Sequence, residues 1–343
     1  MELLYDADLP WEPPPGVRRL RVPHEFTTPG GSAGAARMLH YASLHSPAGL
    51  DDWVAHVATG TVLRERTVDA VVAHVVDEAH RLASIRNEND SHLAVRLRLA
   101  QGHLAMGRTG GSWLAFLAGT RRAGDAVALG RCQLEAQEAW LGVDPSFLLV
   151  PNELEKNVGF DHGLRYPGGE LTSFALRCRD RGAQFSWLDA AVEVPAPESL
   201  AQHMQWRRDA LLARLGALRD HEEGMPGALT LDRRAALLAM CVGSSASELC
   251  LAVTGLSLWV LHSPTVSELL VNFLISVCSG TVLFAHVLGF VASCSPLGFG
   301  GGLRGRAAYV ALLLAQVAVA PLVAVADAVG SMQAFSTFVT RGG

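Results

Sequence analysis

Hydrophobic and polar positions divide this chain into two unlike parts. Up to about residue 230 they mix in short runs. Beyond it charge nearly vanishes: between Arg234 and Arg304 the only ionised side chains are Glu248 and Glu268, and from Ala307 to Ala326 there are none. Three uninterrupted apolar runs result, at about 235–261, 266–293 and 307–326, broken at His262-Ser263-Pro264, Cys294-Ser295-Pro296 and Gly300-Gly301-Gly302. Each reaches the ~20 residues that cross a bilayer, where only a helix satisfies its own backbone. The pattern predicts an all-α polytopic membrane domain of about three transmembrane helices over 231–343.

The polar part reads as a soluble α+β domain. Met1–Pro29 is proline-rich at Trp11-Glu12-Pro13-Pro14-Pro15 and extended at Arg18–Val22, so 1–34 is an arm or edge segment. Helical spacing starts at Ala35 and runs to His45. Asp51 and Asp52 are placed to start a helix containing Trp53. Val68, Val71, Val72, Val75, Ala79 and Leu82 form a stripe that ends near Arg86-Asn87. Alternation predicts a strand at His92–Leu99, and Ser112–Leu117, Phe147–Val150 and Gln184–Val194 also read as extended. The domain spans 35–197. An amphipathic linker helix over 198–230 follows, with Leu200, Met204, Leu211, Leu215 and Leu218 on one stripe and Arg207, Arg208, Arg214 and Arg219 off it.

Charge orients the membrane part. Arg233 and Arg234 precede the first run, Arg304 and Arg306 lie between the second and third, and the first connection has no Lys or Arg. The positive-inside rule then puts the N-terminal domain in the cytoplasm and the tail, with Arg341, outside. No signal peptide is visible near Met1. In this topology the sequon at Asn89 is never glycosylated; modification there would overturn it. The net charge of −5 argues against a nucleic-acid partner. Lys156 is the one lysine, and isoleucine occurs only at Ile85 and Ile275, which fits a GC-rich genome. Four of the six cysteines fall in the apolar part and no CxxC occurs, so no disulfide framework or zinc site is expected.

Few residues carry candidate chemistry. In the apolar runs, Cys241, Ser244, Ser245 and Glu248 share one helical face, and Asn272, Ser276, Ser279 and His286 another, with Gln316 in the third run. A buried ionisable group needs a partner or a cavity, and His286 or Gln316 is the expected partner of Glu248. Gly280 and Gly289 suit close helix packing. Gly102–Thr109 has Walker A spacing with Arg108 in place of lysine, and reads as a glycine-containing turn. His74 and His80 lie on different helix faces and no metal motif accompanies them.

Gly30-Gly31-Ser32-Ala33-Gly34 fits the G-x-S-x-G pattern that turns the backbone sharply and presents a serine hydroxyl. With Asp161-His162-Gly163-Leu164-Arg165-Tyr166-Pro167 it resembles the paired motifs of patatin-like lipid acyl hydrolases, although His162 stands where that family has glycine. The resemblance implies Ser32 as nucleophile and Asp161 as its base. No complete catalytic constellation appears elsewhere, and no cofactor is called for. The expectation is therefore a membrane-anchored interaction or effector protein, with the bilayer and an unidentified protein as partners. Its rivals are a serine lipid acyl hydrolase using Ser32 and Asp161, and a small homo-oligomeric channel with Glu248 and His286 in the path.

Overall fold

The computed structural model describes residues 2–5, 15, 17–87, 97–107, 112–139, 142–162, 169–220, 231–257, 266–294 and 303–342. The proline-rich run at 11–14, the Asn89 sequon, Gly224–Gly227 and the breaks at 262–264, 295–296 and 300–302 lie outside these residues. The chain opens with β1 (Glu2–Tyr5) and β2 (Arg18–Arg21), which pair in parallel. Then come α1 (Gly34–His45), β3 (Trp53–Val57), β4 (Val62–Leu63) and α2 (Glu65–Asn87). They are followed by β5 (Arg98–Gly107), α3 (Trp113–Ala136), β6 (Phe147–Pro151), α4 (Asn152–Val158), α5 (Glu170–Asp180) and β7 (Gln184–Pro195). Helices α6 (Leu200–Asp220), α7 (Leu231–Ser257), α8 (Val266–Cys294) and α9 (Leu303–Gly342) complete it.

A mixed five-stranded sheet in the order β3-β6-β5-β7-β4 forms the centre. β5 runs parallel to β7, and β6 runs antiparallel to both β3 and β5. Every residue of β6 is buried, so both faces of the sheet are covered. Alternation sends Leu148 and Val150 into a core with Phe160, Phe174 and Phe185. Phe147 and Leu149 enter another with Ala123, Val192 and Met106, against which Val71 and Val75 pack.

Three expectations need correction. The segment after Asp51-Asp52 is a strand: the Asp52 carboxylate accepts the Gly49 N–H at 2.7 Å and closes a turn, and the β-branched Val54 and Val57 then pair along β6. Ser112–Leu117 is the start of α3, because the Ser112 hydroxyl accepts the Leu114 N–H and the apolar spacing continues through Leu117, Ala118 and Ala123. Gly102–Gly107 lies in β5 and is no turn. Gly102 sits at a bulge, where a Cβ would meet the Ala190 carbonyl, while Leu104 and Met106 bury in the core.

The C-terminal part is helical, and among the described residues two helices are long and apolar enough to cross a membrane, over Asn272–Cys294 and Arg306–Thr340. The apolar stretch of α7, Leu238–Thr254, is shorter. Helix α9 runs 40 residues with Pro321 inside it, well past the expected end at 326. At 1.5 Å per residue that is about 60 Å, twice the ~30 Å hydrocarbon core. Its charge-free half precedes Asp327, and the half after it packs Ala334 and Phe335 against Leu211 and Leu215 of α6. α8 meets α3 where Gly289 lies on the backbone of Thr120 and Gly124.

Candidate active site

One helix brings most of the site together. α6 places Trp206, Arg207, Asp209, Ala210, Ala213 and Arg214 along a cleft whose other walls come from α3, from Thr172 of α5, and from the loop over Gly142–Pro145. The cavity is about 140 Å³, room for several waters or a small polar group, below the ~300 Å³ at which ligand sites usually start. The neighbouring segments 140–141 and 163–168 lie outside the described residues.

The floor is set by Gln101 of β5. Its amide donates to the carbonyls of Asp144 and Phe147, both at 2.9 Å, and so fixes the loop before β6. Gly142 turns that loop with φ +82°, a conformation that glycine adopts without a Cβ clash. Arg122 of α3 then grips Asp144 bidentately at 3.0 and 2.7 Å. Burial alone would push the Asp144 carboxyl up, but Arg122 and the Ser146 hydrogen bonds hold it below its ordinary value. The Arg122 guanidinium also stands 4.9 Å from the Trp206 ring centre.

Arg207 closes the back of the cleft. It is buried and donates to Asp125 of α3 at 3.0 Å, contacts Glu248 of α7, and lies 3.5 Å from Asp327 of α9. Burial would lower its pKa, but the carboxylates of Glu248, Asp327 and Asp125 more than offset this and raise it. Asp125 likewise is pushed up by burial and pulled further down by Arg121, Arg207 and Arg214. Asp144 and Asp125 are thus clasped anions. Asp209 is the more open carboxylate in the cleft wall, its side chain 43% exposed beside Arg208.

A second concavity, lined by Leu50, Trp53, Leu82, Leu97 and Pro151, has Asp51 and Glu153 as its charged residues among the described ones. Among the described residues no group of three His, Cys, Asp or Glu side chains is arranged to hold a metal ion.

The predicted residues fall in two places. Ser32 and Asp161 do meet, in a buried loop clasp away from both concavities. The Asp161 carboxylate accepts the N–H of Gly30 at 2.6 Å and of Ser32 at 3.4 Å. The Ser32 hydroxyl accepts the His162 N–H at 2.9 Å. Burial would raise the Asp161 pKa, but bonds from Thr28, Gly30 and Ser32 lower it. Gly31 and Gly34 carry positive φ, so the glycines serve the turn.

In the helices, the buried Gln316 amide lies 3.1 Å from the His286 ring and donates to the Leu117 carbonyl. Asn272 is exposed and joins neither. Glu248 therefore finds its partner in Arg207, with Ser331 donating to its other oxygen at 3.2 Å, and does not pair with His286 or Gln316. Arg122, Asp144 and Trp206 had no signal in the sequence. Arg207 had one: a carboxylate in the middle of an apolar run requires a cation from elsewhere in the chain.

No protein-family model matches the chain. Among curated proteins it is similar to the β-1,4-mannosyltransferase egh of Drosophila melanogaster, 25% identical over 202 residues, which is 56% of this chain and 39% of that protein. It is also similar to the β-1,4-mannosyltransferases bre-3 of Caenorhabditis briggsae and Caenorhabditis elegans. Each is 22% identical over 221 residues, 62% of this chain and 44% of the relative. The chain thus spans about two fifths of the length of the curated relatives it matches. The relatives it matches are named as glycosyltransferases. These likenesses overturn the effector, the lipid acyl hydrolase and the channel readings. In the structure Ser32 and Asp161 also hold a loop together, and Glu248 is paired with Arg207. The membrane assignment stands, and the chain is a membrane protein.

Proposed function

We propose that this chain is a membrane-anchored glycosyltransferase module that acts in mannosyl transfer, with the α3–α5–α6 cleft as the place where sugar is held. The observation that carries the reading is the likeness to β-1,4-mannosyltransferases along more than half of the chain.

The reaction has plain requirements. An acceptor hydroxyl oxygen bonds to the anomeric carbon while that carbon's bond to the donor's phosphate oxygen breaks. The hydroxyl proton passes to a base, and negative charge grows on the leaving phosphate. The cleft offers groups of the right kind. Trp206 lines the cleft beside Arg122 and offers aromatic surface to a sugar ring, Arg214 brings positive charge, and Thr172 and Gln133 offer hydrogen bonds to hydroxyls. Asp209, the more exposed carboxylate of the cleft, is the candidate base, its Oδ1 accepting two hydrogen bonds from Arg208, where Asp144 and Asp125 are clasped within the fold.

The finer topology belongs to the same proposal. α7 is the third crossing, and the arginines at 233, 234, 304 and 306 keep the α/β part on the cytoplasmic side. The test uses the full chain in lipid nanodiscs, a panel of nucleotide-activated mannose donors, and lipid and oligosaccharide acceptors. Transfer is expected, with a β-1,4 linkage by NMR. Trp206→Ala and Arg214→Ala are each expected to cut kcat/KM by roughly tenfold, about 1.4 kcal/mol of transition-state stabilisation. A folded wild type that transfers mannose to no acceptor would sink the proposal.

A further inference from the structure

α6 has two working faces. One lines the cleft with Trp206, Ala210 and Arg214. The other meets the C-terminal helices through two ionic ties. His203 lies 2.6 Å from the Asp327 carboxylate, and Arg207 is held by Glu248 and Asp327 together with Asp125. Glu248 and Asp327 are both fully buried. They stand on the helices that carry the apolar stretches, far in sequence from the cleft, and neither lines it.

The approach is close as well as charged. A Cβ at Gly330 of α9 would lie 2.7 Å from the Met204 carbonyl and 3.3 Å from Arg207 Cβ, so α9 runs against the backbone of α6 at the turn that carries Trp206. Buried ion pairs of this kind are better at fixing one geometry than at adding stability, since desolvation offsets much of their attraction. Three carboxylates from three helices around one guanidinium set both the rotation of α6 about its axis and its height against α7 and α9.

We propose that Glu248 and Asp327 are positioning residues of the cleft. By holding Arg207 from the side of the membrane helices they fix where Trp206 and Arg214 stand, so the shape of the cleft depends on the docking of α7 and α9. The proposal concerns the same cleft as the glycosyl-transfer reading, but its test needs no substrate and can fail independently of it.

The test is site-resolved maleimide labelling of the full chain in nanodiscs, read peptide by peptide by mass spectrometry, with the exposed Cys132 replaced by serine. Ala210→Cys reports the cleft, and Ala73→Cys on the exposed face of α2 reports the rest of the fold. Glu248→Gln and Asp327→Asn are each expected to change the labelling rate at position 210 about fivefold and leave position 73 unchanged. An unchanged rate at 210 overturns the proposal, and so does an equal change at both positions, which marks general loosening. Activity lost while labelling at 210 is unchanged would also count against it.

Discussion

Asp144 is the residue on which the cleft's loop turns, and its chemistry makes a directional prediction. Its side chain is 14% exposed and gripped by Arg122, and its carboxyl is held below the ordinary value. A carboxylate with a depressed folded pKa contributes stability that is present above its unfolded pKa of ~3.9 and is lost as pH falls through the lower folded value. Asp144→Asn should therefore destabilise the chain by roughly 2–3 kcal/mol at pH 7, where it leaves Arg122 without its anion. That deficit should shrink as pH falls below about 4, where the unfolded chain takes up a proton at this carboxyl that the folded chain still excludes. Urea midpoints in micelles at pH 7 and pH 3 check this, and a deficit equal at both would refute it. None of this was legible in the sequence, because Asp144 sits in a short loop where nothing marks it apart from other aspartates. Ser32 and Asp161 show the reverse: the motif was visible and the two residues do meet. What the spacing did not reveal is that backbone N–H groups would occupy the carboxylate.

At the scale of elements, periodicity read the long pieces well. The helices over 65–87 and 200–220 and the strands over 147–151 and 184–195 follow from their patterns. Short pieces failed where two periods fit the same few residues: Trp113–Leu117 is an unbroken apolar run that suits a buried strand or a helix, and only the continuation to Ala123 and Val127 makes it a helix. Glycine in the apolar helices shows the same limit. Gly280 and Gly289 look alike in sequence, yet a Cβ at Gly280 meets nothing within 4 Å, while one at Gly289 runs into the Thr120 carbonyl. Gly289→Ala is accordingly expected to push α8 off α3 and cost about 1–3 kcal/mol, as overpacked contacts do. Gly280→Ala should be neutral or slightly stabilising, through helix propensity. Thermal unfolding in nanodiscs separates the two, and equal shifts would show that α8 and α3 do not pack at Gly289.

At the scale of the whole molecule, the distribution of exposed apolar side chains supports an orientation. Phe273, Leu274, Val277 and Phe284 on α8 and Val310, Leu314, Val317, Leu322 and Val325 on α9 all face outward. Large apolar side chains turned outward along two long apolar helices belong against hydrocarbon. The α/β part instead turns out charged side chains such as Arg64 and Arg66, which belong in water. Cys132, exposed on α3, offers a native probe of the side on which that part lies. If the positive-inside reading holds, a membrane-impermeant maleimide should label Cys132 in inverted vesicles and not in sealed cells, and full labelling in both should follow once detergent opens the bilayer. Labelling in sealed cells would place the α/β part, and with it the α6 cleft, on the outer side. Any mannosyl donor would then have to be supplied there, so this one thiol also decides in which compartment the donor panel is to be tried.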